Sequence, residues 1–159
     1  MADAMALVAL CRARGLRVAS AESCTGGLVA AAITGCPGAS AVFTHGFVTY
    51  ANAAKTEMLG VPAALIARLG AVSAEVAAAM AQGARLRARA DIAVGVTGIA
   101  GPGGGSAEKP VGTVWFGLAA QAGDVATHLR VFPGTRDEIR AASLRFALDL
   151  LRAAAGGPE

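Results

Sequence analysis

The sequence predicts a three-layer α/β/α sandwich around a mixed sheet, on three observations. Segments with the 3.6-residue apolar period of helices alternate with short segments rich in Val, Phe and Thr, the pattern of an α/β chain. The run at residues 91–97, Asp-Ile-Ala-Val-Gly-Val-Thr, is continuously apolar after its first residue, as a central strand buried on both faces requires. Helical segments precede, separate and follow the strands, so both faces of the sheet can be covered.

Residues 2–14 read as a first helix stopped by Gly15, and residues 16–20 as a short strand. A second helix is expected from Cys24 to Gly35, where Gly35-Cys36-Pro37-Gly38 is turn chemistry. The β-branched and aromatic residues of 41–50 predict a strand. Short helices at 53–59 and 63–69 follow, separated by Pro62. Ser73 reads as the N-cap of an amphipathic helix with Val76, Met80 and Ala84 on its sheet-facing side. After the central strand comes the most Gly-rich loop of the chain, 98–110. Two strands at 111–120 and 125–132 then join at Gln121-Ala122-Gly123-Asp124, and alternation in the second predicts one wetter face. Thr135-Arg136-Asp137-Glu138 is a capping-box sequence opening a long last helix.

No internal repeat or linker interrupts the 159 residues, so one domain over residues 1–159 is expected. With 40 Ala and 21 Gly and only 4% aromatics, apolar burial must rest on Leu, Val, Ile and close backbone packing. The absence of a repeat period and the low charge exclude collagen-like and disordered chains. Net charge is +3, but 12 Arg and 2 Lys are spread thinly, and Arg85, Arg87 and Arg89 at one helix end are a solvated face rather than a nucleic-acid footprint. Cys11, Cys24 and Cys36 have neither disulfide-framework nor zinc-ribbon spacing, and no His/Cys/Asp/Glu cluster has metal-ligand spacing, so no metal or other cofactor is expected. Residues 24–54 carry no charged side chain, yet their Gly, Pro and His content and their change of period exclude a spanning helix. The N-terminus lacks a basic region followed by an apolar core, so no secretory signal is expected, and a cytoplasmic location fits the unpaired cysteines. Apolar helix surface prompts the expectation of a homodimer.

Chemistry is expected first at Ala21-Glu22-Ser23-Cys24-Thr25-Gly26-Gly27, between a strand and a helix. Ligands of open α/β sheets gather at the carboxyl ends of strands, where unpaired N–H groups hold anions. Ser23 there could attack an electrophile, or Ser23 or Thr25 could simply cap the helix. The base could be Lys55, because a partly buried lysine can lose its proton and an arginine cannot; a solvated surface lysine is the plain alternative. Cys24 is a rival nucleophile that His45 could assist, and a small buried hydrophobe otherwise. His45 and His128 also read as ordinary strand residues. The loop Thr97-Gly98-Ile99-Ala100-Gly101-Pro102-Gly103-Gly104-Gly105-Ser106 could bring backbone N–H groups against an anion or be a structural turn; it matches neither common phosphate-loop motif. Arg136 and Arg140, four apart, could hold a phosphate or pair with acidic neighbours.

Together, AESCTGG at 21–27, PGASAVFTHGFVTYANAAK at 37–55, LGV at 59–61, GAVSAEVAAAMAQGA at 70–84 and VTGIAGPGGGSAEKPVGTVWFGLA at 96–119 resemble the C-terminal domain of the competence/damage-inducible protein CinA, a family that includes stand-alone nicotinamide-nucleotide amidases. The likeness covers essentially the whole chain. It implies hydrolysis of the carboxamide of nicotinamide mononucleotide to nicotinate mononucleotide and ammonia, in pyridine nucleotide salvage. It further implies Ser23 as nucleophile, Lys55 as base, and Thr25, Gly26, Gly27, Tyr50, Thr97, Gly98, Gly101, Gly103, Gly104 and Arg136 about the substrate, with no metal, cofactor, nucleic acid or membrane involved. Ala39, Ala51 and Thr135 depart from the residues usual in the family. A non-catalytic nucleotide-binding module with a regulatory or assembly role is the competing expectation.

Overall fold

The computed structural model describes residues 2–121, 123 and 125–156. Its chain order is α1 (Ala2–Arg14), β1 (Val18–Glu22), α2 (Leu28–Thr34), a single 3₁₀ turn (Ala39–Ala41), β2 (Phe43–Val48), α3 (Asn52–Leu59), α4 (Ala63–Leu69), α5 (Ala74–Ala88), β3 (Ile92–Gly98), β4 (Thr113–Ala120), β5 (Ala126–Val131) and α6 (Arg136–Ala154). The five strands lie in the order β2-β1-β3-β4-β5. β1 is parallel to both β2 and β3, whereas β3, β4 and β5 are successively antiparallel, so the sheet is mixed as expected. Of the expected turn at 121–124, Ala122 and Asp124 lie outside the described residues.

Helices cover both faces. Val18, Ile92, Val94, Val96, Val114 and Phe116 point into a core shared with α1, α2 and α6. The opposite face presents Ala19, Ala21 and Ala93 to α3, α4 and α5. This second core shows what the Ala and Gly content is for. A Cβ on Gly95 would stand 2.6 Å from the Ala77 carbonyl oxygen and 2.8 Å from the Ala81 nitrogen, so α5 approaches the sheet closely only because β3 has no side chain there. Ser73 caps α5 by accepting the Val76 N–H, as its sequence predicts. Thr135 and Glu138 complete both bonds of the capping box on α6.

Several boundaries differ from expectation: β1 starts at Val18 rather than at residue 16, β2 spans Phe43–Val48 rather than 41–50, and three further differences have a local reason. β1 runs two residues beyond the segment 16–20, because Ala21 and Glu22 continue in register with Gly95 and Val96. α2 starts at Leu28 instead of Cys24, because Gly26 and Gly27 have φ of +60° and +99°, which no helix accepts. β4 starts two residues late, because Gly112 at φ +96° donates to the Ile99 carbonyl and closes the Gly-rich loop on itself. β5 is an edge strand exposed along most of its length, a wetter environment than alternation alone suggested. No helix among the described residues is long and apolar enough to cross a membrane.

Candidate active site

The parallel half of the sheet ends at the site. β1 delivers Ser23 just past its last residue, and the Ser23 N–H donates to the Val96 carbonyl of β3 at 2.9 Å, fixing the serine backbone at the carboxyl edge. Beside it, the segment from β2 into α3 delivers Lys55, which is 1% exposed. Its Nζ lies 3.1 Å from Ser23 Oγ, 2.8 Å from the Thr49 carbonyl oxygen and 3.3 Å from the Tyr50 carbonyl oxygen. Among the described residues no carboxylate pairs with it. Burial without a counter-ion disfavours the ammonium, so the Lys55 pKa falls below its usual value. A neutral amine has two N–H groups and one lone pair; two carbonyls and one hydroxyl are what surround it. Ser23 and Lys55, 32 positions apart in sequence, are thus brought within hydrogen-bond reach of each other.

Cys24 is placed to be inert. It is buried, and desolvation raises its thiol pKa to about 11, so almost no thiolate exists at neutral pH. His45 is exposed and stacked on Phe47, in register with Ala19, four residues upstream of the serine. His128 lies on the far edge strand against Phe146. Neither histidine reaches Ser23.

Arg136 closes the site on its other side. Its guanidinium donates to the Gly101 carbonyl at 2.8 Å and to the Tyr50 hydroxyl at 3.0 Å, so the Gly-rich loop, the β2–α3 segment and the start of α6 meet at one side chain. As the first residue of α6 it sits where a cation opposes the helix dipole, and these two contacts hold it there. Tyr50 serves twice: its carbonyl faces Lys55 and its ring, 60% exposed, reaches outward to Arg136. Gly103 and Gly104 are exposed, whereas Gly101 is buried. Gly98 has no room for a side chain, since a Cβ would stand 2.7 Å from Val114 Cγ2 and 2.9 Å from the Thr113 carbonyl oxygen.

Two residues expected at the substrate have buried side chains. Thr97 Oγ1 donates to the Ala71 carbonyl at 2.9 Å and is buried, which ties β3 to the α4–α5 connection. Thr25 is wholly buried, and its Oγ1 has no partner among the described residues. Nor do Ser23 and Thr25 cap α2; Gly27 occupies that position without any side-chain cap of its own. The cap comes from Glu22, which sequence reasoning missed. Its carboxylate, 1% exposed, accepts the N–H groups of Gly27 and Val29 at 3.0 Å and of Ala30 at 2.9 Å, and the Ser20 hydroxyl at 3.2 Å. Local sequence did carry a signal, a lone acid in an otherwise apolar strand directly before the serine. Arg140 was expected to hold a phosphate or to pair with an acidic neighbour; its Nη1 lies 3.9 Å from Asp137 Oδ1, and it donates through Nε to the Cys24 carbonyl and through Nη2 to the Thr25 carbonyl, each at 3.2 Å. No group of three metal-ligating side chains occurs among the described residues.

Known proteins share this fold and much of this sequence. A solved structure described as the competence/damage inducible protein CihA from Agrobacterium tumefaciens superposes with a TM-score of 0.93 at 51% identity, over 96% of this chain and 93% of that one. A CinA superfamily protein from Escherichia coli matches with a TM-score of 0.89 at 40% identity, over 94% of this chain and 86% of that one. Among curated relatives, a CinA-like protein of Geobacter sulfurreducens is 57% identical over 92% of this chain. This chain spans only 35% of that relative's length. A nicotinamide-nucleotide amidohydrolase, PncC, of Enterobacter agglomerans is 55% identical over 86% of this chain and 84% of its own length. The family model of the CinA C-terminal domain matches residues 2–155. By sequence and by fold, the chain belongs to the CinA C-terminal domain family.

Proposed function

We propose that this chain is an amidohydrolase that cleaves the carboxamide of nicotinamide mononucleotide, with Ser23 as nucleophile and Lys55 as general base. The observation that carries the reading is the buried Lys55 amine 3.1 Å from Ser23 Oγ, with no carboxylate beside it among the described residues. The amidohydrolase name of the 55% identical relative supports the substrate.

The chemistry follows from the groups present. Neutral Lys55 accepts the Ser23 proton as Oγ attacks the amide carbon, and the resulting ammonium returns that proton to the departing nitrogen, releasing ammonia. Water then hydrolyses the acyl-serine by the same proton route. Arg136 and the Tyr50 hydroxyl, at the outer rim, suit the nucleotide's phosphate, and the exposed Gly103 and Gly104 leave room for a bulky ligand. A single unit over residues 1–159, a homodimer and a cytoplasmic location belong to the same reading.

The test is ammonia release from the mononucleotide by the purified protein. Turnover above a no-protein blank is expected. Binding of the mononucleotide with no ammonia would instead establish a nucleotide-binding module without catalysis.

A further inference from the structure

We infer that Glu22 and Arg140 are positioning residues which lock the peptide groups of the loop 23–27, leaving the Thr25 N–H as donor to the oxyanion formed when Ser23 attacks an amide. The inference rests on the amidohydrolase reading above and concerns how the same site stabilises its intermediate.

The loop could supply several N–H groups, and the hydrogen bonds show which are already committed. Those of Gly27, Val29 and Ala30 donate to the Glu22 carboxylate. That of Gly26 donates to the Ser23 carbonyl at 3.0 Å, and that of Leu28 to the Thr25 carbonyl at 3.2 Å. The N–H groups of Cys24 and Thr25 have no acceptor among the described residues, and of the two only the Thr25 peptide group is held through its carbonyl by a side chain. The N-terminus of α2, which would otherwise attract an anion, therefore already holds an internal one. A substrate phosphate or oxyanion must be held elsewhere.

Arg140 decides where the remaining donor points. In a planar trans peptide the carbonyl and the N–H point in opposite directions. Nε of Arg140 draws the Cys24 carbonyl toward α6, so the Thr25 N–H of the same peptide group is directed away from α6. That is the side of the sheet carrying α3, from which Lys55 reaches Ser23 Oγ. Nη2 draws the Thr25 carbonyl the same way and so sets the Gly26 N–H toward the Ser23 carbonyl it binds. Positive φ at Gly26 and Gly27 makes this path of the chain accessible without strain. In the reaction a bond forms between Ser23 Oγ and the amide carbon, the carbonyl π pair moves onto oxygen, and the serine proton passes to Lys55 Nζ. The new negative charge meets an N–H already oriented before attack, which is what makes such donors effective.

Arg140→Gln should lower kcat toward the loss of about 100-fold that follows removal of one oxyanion donor, with KM for nicotinamide mononucleotide and the melting temperature little changed, whereas Glu22→Gln should lower kcat and also the melting temperature, because its amide turns a donor toward N–H groups that the carboxylate accepted. Affinity for an aldehyde analogue of the mononucleotide, which traps Ser23 as a tetrahedral adduct, should fall in parallel, while affinity for the product, nicotinate mononucleotide, stays constant. The rising limb of the pH profile should not move, since neither change alters Lys55 directly. Arg140→Lys, which can still reach one carbonyl, should recover part of kcat and decides the matter if a glutamine variant fails to fold. Wild-type kcat in Arg140→Gln, or parallel losses of aldehyde and product affinity, would overturn the inference while leaving the amidohydrolase reading intact. An inactive wild-type protein would overturn that reading instead, and this inference with it.

Discussion

At the scale of single residues, the site turns on a lysine that the fold refuses to solvate. Lys55 was legible because it is one of 2 Lys beside 12 Arg, so an amine stood where the chain otherwise uses guanidinium. Glu22 and Arg140 were not legible in their actual roles. One lies in a strand rather than in the capping window of α2, and the other holds carbonyls 115 and 116 positions away, distances over which no local pattern operates. Ser23→Ala should abolish nearly all turnover and Cys24→Ala should preserve most of it, since the Cys24 thiol at a pKa of about 11 stays protonated at neutral pH; steady-state ammonia release by the two variants checks this. Because the Lys55 pKa is lowered, the active neutral amine accumulates as pH rises, and activity should climb through an ionisation below the free-lysine value of about 10.4. Lys55→Arg should be as inactive as Lys55→Ala, because guanidinium keeps its proton across that range. A pH–rate profile of the wild type and the rates of both variants at one pH decide the point.

At the scale of elements, periodicity found every α-helix and strand, and its largest error, at the start of α2, came where glycines set the boundary. Apolar spacing from Cys24 onward mimics a helix, but spacing carries no information on φ, and Gly26 and Gly27 spend four residues on turns before α2 begins. The capping box of α6 was read correctly because all its parts lie within one turn of sequence. That cap bears on function, since α6 begins with Arg136 and carries Arg140 on its next turn. Thr135→Ala should lower stability by about 1 kcal/mol and raise KM as the first turn frays and Arg136 loses its hold on Tyr50 and Gly101; denaturant melts together with a substrate titration test both. Across the sheet, Gly95→Ala would force α5 outward from β3 and should destabilise the fold by roughly 1–3 kcal/mol, a loss visible in the midpoint of the same melts.

For the whole molecule, the division of labour follows strand direction. The parallel strands β1, β2 and β3 end together at the site, whereas the antiparallel extension through β4 and β5 brings the chain back so that α6 can lie across the loop after β1. The mixed sheet and the central place of β3 were legible from the sequence; the order of the other strands was not, because nothing local says that β1 and not β2 lies beside β3. Burial of Lys55 also couples the site to global stability. Its pKa is lower folded than unfolded, so between the two values the unfolded chain binds more protons, and stability from this group rises with pH through that window and is level on either side of it. From pH 7 to 10 the wild type should therefore gain melting temperature relative to Lys55→Met, which cannot titrate; calorimetry of the pair at several pH values measures the difference. The grip of α6 on Cys24 and Thr25 has a kinetic side as well. A ribosome releases the N-terminal half first, so Ser23 and Lys55 emerge long before Arg140 does. Until the last helix docks, the loop after β1 lacks its two bonds to Arg140, and on the proposed reading the nascent chain should be catalytically silent. In refolding from denaturant, turnover should thus return at the rate of α6 docking, even where β1–β3 pairing is faster.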